Sequence, residues 1–207
     1  MNRTPLYALA FTLLATASAG ASGGSDLLAR AAALNPGLHS YTATMHAGVA
    51  MKSFPFLSAS LVGTLYHKEP NEDKVVFTGG VPMIAQQFDK LYAHVEGPAR
   101  WNEVYVVTPT GDNGTFSTFR LVPRKKGNID SINARIDDKS ATVTLMRWNY
   151  GNGGYAQMEN TYGNVKNATL VTSQHGHVEE PGYTADITTT IDNYTLNPQL
   201  SDSIFEQ

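Results

Sequence analysis

Tyr41-Thr42-Ala43-Thr44-Met45-His46-Ala47-Gly48-Val49-Ala50-Met51 is the stretch on which the reading of the fold turns. Tyr41, Ala43, Met45, Ala47, Val49 and Met51 line one side of it, and Thr42, Thr44 and His46 the other. Side chains in a strand point alternately to opposite faces, so this period of two predicts a strand with one buried face. The same period returns with Leu57, Ala59, Leu61, Gly63 and Leu65 set against Ser58, Ser60 and Thr64, after a connecting turn at Phe54-Pro55. Glu69-Pro70-Asn71 ends this second strand, and Lys74 to Phe77 starts a third.

Downstream, Gly79-Gly80 breaks the pattern. Pro82 suits a first helical turn, and Ile84, Phe88 and Leu91 recur at helical spacing, predicting a short helix from Val81 to about Leu91. Strand-like segments follow at Glu103–Thr108, Thr115–Pro123, Ile129–Asp137, Ala141–Asn149, Ala156–Tyr162, Thr169–His175 and Thr184–Tyr194. Turns such as Gly111-Asp112-Asn113-Gly114 and Gly151-Asn152-Gly153-Gly154 separate them. Many strands without intervening helices predict an antiparallel sheet that curls or closes. Upstream, Ser25 to Leu34 reads as an amphipathic helix. Ser25 is its expected cap, Asp26 sits at the positive end of the dipole, and Leu27, Leu28, Ala31 and Leu34 fall on one face. Asn35-Pro36-Gly37 stops it.

The first residues read as an export signal. Arg3 precedes the short apolar run Pro5–Ala15, and Ala17-Ser18-Ala19 offers small residues for cleavage, with Ala19-Gly20-Ala21 as a second site. The run is too short for a spanning helix, which needs about 20 apolar residues. The expected organisation is therefore a signal peptide over residues 1–19 and a single domain over 20–207. Without residues 1–19, fourteen Lys and Arg face eighteen Asp and Glu. That mild acidity argues against nucleic acid, which clustered cations recognise. The Arg124-Lys125-Lys126 cluster precedes a glycine and reads as a solvated loop. Cysteine is absent from all 207 residues, which rules out disulfides, thiol catalysis, cysteine metal sites and a lipobox.

No catalytic pattern emerges. The chain holds no Gly-x-Ser-x-Gly elbow, no His-Glu-x-x-His and no phosphate-cradling loop. His175-Gly176-His177 puts two rings on one strand face without a visible third ligand, and Asp137-Asp138 reads as a hairpin turn. The expectation is no enzyme, no cofactor and no metal. Bulky, pliable apolar side chains stand out on the strands instead. They fit either a filled β core or a concavity for a flexible apolar ligand, because thioethers and aromatics make adaptable walls.

The order of elements resembles the periplasmic LolA/LolB-like lipoprotein carriers. The likeness rests on three stretches: the helix from Ser25 running into Leu38-His39-Ser40-Tyr41-Thr42-Ala43-Thr44-Met45; Gly63-Thr64-Leu65-Tyr66-His67-Lys68-Glu69-Pro70-Asn71; and Phe119-Arg120-Leu121-Val122-Pro123 followed by Asn128-Ile129, with a tail at Asn197-Pro198 and Ile204-Phe205. The resemblance implies a mainly β (α+β) fold, a curved, incomplete antiparallel β-barrel covered by two short helices. It also implies a monomeric periplasmic carrier or chaperone for lipoprotein acyl chains, exchanging cargo with membrane donor and acceptor proteins. The expected ligand-binding residues are Met45, Val62, Tyr66, Phe77, Phe119, Leu121, Met146, Trp148 and Met158, under a lid of Leu27, Leu28, Ile84 and Phe88. Two positions depart from the family pattern: Val81–Phe88 replaces an Asp-Gly turn, and Lys68-Glu69 stands where the carriers place a lid-tethering arginine. The alternative is an envelope interaction or sensor module with a filled core and no lipid. A hydrolase acting on envelope polymers ranks third, against its missing motifs.

Overall fold

The structure is a computed structural model, and it describes residues 21–54, 56–70, 72–79 and 96–206. The expected helix over 81–91, with Ile84 and Phe88, lies outside these residues, as does the expected signal segment 1–19.

Among the described residues ten antiparallel strands form one sheet: β1 (Ser40–Met51), β2 (Ser58–Lys68), β3 (Glu72–Phe77), β4 (Tyr105–Asp112), β5 (Phe116–Pro123), β6 (Ile129–Asp137), β7 (Val143–Tyr150), β8 (Tyr155–Val165), β9 (Ala168–Glu180) and β10 (Tyr183–Leu196). Their order is β3-β2-β1-β10-β9-β8-β7-β6-β5-β4. Strands β4 to β10 make one meander of hairpins and β1 to β3 another, and the β1·β10 ladder joins the two. The sheet does not close. Its edges among the described residues are β3 and β4. Irregular pairings between Thr42 and Thr44, Pro109 and Gly111, Arg135 and Ile136, and Thr161 and Tyr162 interrupt the ladders. Such bulges bend the strand and raise the local twist, which is how a sheet this wide curls.

The period of two places the core. Phe119, Ala134, Met146, Met158, Gly176, Ile187 and Val49 are successive cross-strand partners and form one row over seven strands. Leu121, Ile132, Trp148, Ala156, Val178, Ala185 and Met51 form the next row. Partners directly opposite one another share a face, and apart from Gly176 these side chains belong to one buried apolar cluster.

Helix α1 (Ala21–Ala32) lies on that cluster through Leu27 and Ala31. It begins four residues before the expected start, so Ser25 sits inside the helix and is not its cap. The last helical bond, Ala33 N–H to Ala29 O at 3.1 Å, leads into Asn35-Pro36-Gly37. Its second half is fastened to one end of the sheet. Arg30 Nη2 donates to Asp138 O at 2.9 Å beside the β6–β7 turn, and Asn35 exchanges two 2.9 Å bonds with the Thr169 backbone at the start of β9. A second correction concerns Glu103, expected to open a strand. Pro98–Arg100 is a 3-10 turn and Trp101–Val104 a single helical turn, α2, before β4 begins at Tyr105. Burial of the Trp101 indole explains the difference: it is 0 % exposed, and its Nε1 donates to Glu96 O at 2.7 Å.

Candidate functional site

The sheet has one strongly apolar face, and seven of the nine expected ligand-binding side chains lie on it. Phe119, Leu121, Met146, Trp148 and Met158 are buried in the main cluster, and half-buried Phe77 packs against it. Met45 is buried in an adjoining cluster with Ala43, Leu170, Ile191 and Tyr194. Met146 and Met158 are cross-strand partners, so two thioethers stand side by side in the middle of the face.

Val62 and Tyr66 lie on the opposite face. Val62 is 44 % exposed, and Tyr66 pairs with Thr42 and Lys74 on the outer side. Leu61, Gly63 and Leu65 take the inward positions of β2, and residues one step away must face out. Of the expected lid, Leu27 is buried in the main cluster and Leu28 packs partly against it, while Ile84 and Phe88 lie outside the described residues. Trp101 escaped the sequence reading, although it fills the space over the same face. Its only signal in the sequence is an aromatic residue shortly after Gly97-Pro98.

The apolar rows give way to a polar rung. Asn160, Gln174 and Thr189 are aligned across β8, β9 and β10 on the inner face, beside Ala47 and Leu61. Gln174 Nε2 donates to Asn160 Oδ1 at 3.0 Å, and Asn160 Nδ2 donates to Val143 O at 2.9 Å. Among the described residues, buried Gln174 Oε1 has no hydrogen-bond partner. The Tyr162 hydroxyl also donates to Val143 O, at 3.0 Å. Burial pushes the Tyr162 phenol up to about 12 and raises that of Tyr194, and burial followed by the Asp73 carboxylate raises Tyr41. These side chains cross a gap: β7 and β8 part beyond the Leu145–Glu159 pair, and a cleft of about 440 Å³ opens there among Thr142, Thr144, Asn160, Tyr162 and Thr169.

The remaining polar groups are arranged as structural pairs. His67 Nδ1 meets Asp73 Oδ1 at 2.8 Å across β2 and β3, and the Tyr41 ring stacks on His67 with centroids 4.7 Å apart. His177 Nδ1 meets Asp186 Oδ1 at 2.6 Å, and Lys52 Nζ meets the other oxygen at 2.9 Å. Those two contacts, Lys52 first, hold the Asp186 carboxyl below the usual range. Among the described residues no three His, Asp or Glu side chains converge as metal ligands. Among the described residues the inner face can therefore offer contact area, the pliable thioethers of Met45, Met51, Met146 and Met158, and the unmet acceptor Gln174 Oε1.

No family model matches the sequence, and no curated protein matches it significantly. Solved structures do resemble it. A DUF1329 family protein from Desulfovibrio piger superposes with a TM-score of 0.63 at 10 % identity, over 89 % of this chain and 96 % of that one. A putative outer membrane lipoprotein-sorting protein domain from Vibrio parahaemolyticus gives 0.63 at 11 % identity, over 89 % and 97 %. A LolA superfamily protein from Nitrosomonas europaea gives 0.61 at 10 % identity, over 88 % and 97 %. At such identities the likeness is one of fold, and the fold is LolA-like.

Proposed function

We propose that this LolA-like fold serves a periplasmic, non-enzymatic carrier that holds a lipoprotein acyl chain, or a comparable apolar ligand, against the inner face of the sheet. The observation that carries the reading is the pair of apolar rows spanning seven strands with Met146 and Met158 at their centre. Unbranched thioethers repack without strain, which suits a chain of many conformers. Helix α1 is the lid in this reading. Leu27 and Ala31 occupy the face when it is empty of cargo, and the bonds of Arg30 and Asn35 hold the helix there. Each methylene moved from water to that face gains on the order of 0.8 kcal/mol, so a chain of ordinary length offsets the displaced contacts. Export follows the reading of the first residues, with cleavage after Ala19 or Ala21 and release of a chain starting at Gly20 or Ser22. Donor and acceptor proteins at the two membranes belong to the same proposal.

The burial of six of the nine candidates in or against the main cluster favours a second reading, a filled core serving an interaction or sensor module. Native mass spectrometry of the protein purified from its own periplasm separates the two. A mass excess that fragments to a lipid supports the carrier, and a bare chain mass supports the module.

A further inference from the structure

The sharpest exposed apolar feature lies away from the proposed binding face, at the tip of the β1–β2 hairpin. Phe56 there is 81 % exposed, and Phe54 and Leu57 are exposed beside it. The Phe54 and Phe56 rings meet edge to face with centroids 6.4 Å apart. The tip is braced. Leu57 N–H donates to Phe54 O at 2.8 Å, Met51 N–H to Leu57 O at 3.1 Å and Lys52 N–H to Thr184 O at 2.7 Å, while Thr184 N–H donates to Ser53 Oγ at 2.8 Å. A loop tied down this firmly presents its aromatic rings to solvent by construction. We propose that the β1–β2 tip is a finger that seats the protein on a lipid bilayer, with Phe54, Phe56 and Leu57 entering the headgroup boundary.

Charge and position both point to a bilayer. None of the chain's 18 Asp and Glu residues falls between Leu27 and Lys68, a run that carries Arg30, Lys52 and Lys68. The hairpin thus lacks carboxylates of its own in a chain of net charge −3, and Lys52 at the base of the tip pairs with Asp186 of β10 at 2.9 Å. Aromatic and aliphatic side chains on a hairpin without carboxylates suit the headgroup boundary of a bilayer. A convex knob of three side chains offers little to a rigid protein surface but sinks readily into a deformable one. The tip also stands where β1 finishes, at the end of the sheet opposite the one to which Arg30 and Asn35 fasten α1. The choice of a bilayer rests on the acyl-carrier reading, in which the cargo leaves and enters membranes.

The test is co-sedimentation of the full mature chain with vesicles of phosphatidylethanolamine and phosphatidylglycerol, comparing the parent with the Phe54→Ser/Phe56→Ser double variant. The parent should sediment with the vesicles, and the variant's partition should fall roughly tenfold or more, with circular dichroism unchanged. Uptake of a fluorescent fatty acid in vesicle-free solution should be equal for the two proteins. A parent that stays in the supernatant, or a double variant that sediments equally well, overturns the proposal. A vesicle difference without fatty-acid uptake by either protein upholds the finger and sinks the carrier reading instead.

Discussion

A methyl group on residue 63 would stand 2.9 Å from the Val76 carbonyl oxygen and 3.0 Å from the Phe77 ring, because Gly63 lies between Met45 and Phe77 in the ladder. The absent side chain is what lets Phe77 lie over β2. Gly63→Ala should destabilise the fold by about 1–3 kcal/mol, as overpacking does, read as a lower urea midpoint at an unchanged slope. Tyr162 makes a second prediction. An exposed phenol ionises near pH 10, whereas burial pushes that of Tyr162 up to about 12. The folded state therefore prefers the neutral ring; its contribution is fully present below pH ~10 and is lost as pH rises through the folded value. Alkaline unfolding should set in between those limits, and Tyr162→Phe should remove part of that pH dependence while costing about 1 kcal/mol at neutral pH through the lost bond to Val143. At this scale the sequence was legible wherever parity could be counted from an unmistakable strand. Met45 follows from Tyr41 and Ala43, whereas Val62 and Tyr66 fall on the opposite parity from Leu61 and Leu65.

Helix α1 rests on the sheet through few side chains, so each should weigh heavily. Leu27→Ala should cost about 2–5 kcal/mol, whereas Ala29→Ser on the exposed side should leave the thermal midpoint close to the parent's. Equal midpoints for the two variants would show that the helix covers no core. The strands were readable because a half-buried sheet writes its period directly into the sequence, and β6 begins and ends where the alternation said it would. The end of α1 was marked by Pro36 and Gly37, but its start was not. Ser25 has the chemistry of a cap and follows Gly23-Gly24, a pair that disfavours a helix, yet the helix runs through all three. The helical turn at Trp101 left no periodic trace, since four residues are too few to show one. The polar rung was hidden differently: Asn160 continues the parity of Ala156 and Met158, but an amide there looks like the end of a buried run until Gln174 and Thr189 line up beside it across two ladders.

For the molecule as a whole, the question is whether the inner face yields to a ligand. Met146→Glu and Met158→Glu each place a charge in the middle of the apolar rows. If α1 lifts to admit cargo, the carboxylate finds water at the lid, the β-rich circular dichroism survives and fatty-acid uptake is lost. If the core is permanently filled, a buried unpaired charge unfolds the protein, and the parent takes up nothing. The ladder between β1 and β10 carries a separate implication, for the newborn chain. Among the described residues it is the only ladder joining the two meanders, and its halves are the first and last of their strands to be made. Until the final strand emerges, β1 and β9 each stand with a bare edge, open to pairing with a neighbouring chain. A truncation before Tyr183 should therefore accumulate as aggregates rather than as a smaller folded protein, and any helper that guards this polypeptide has its work to do before the last fourteen-residue strand arrives.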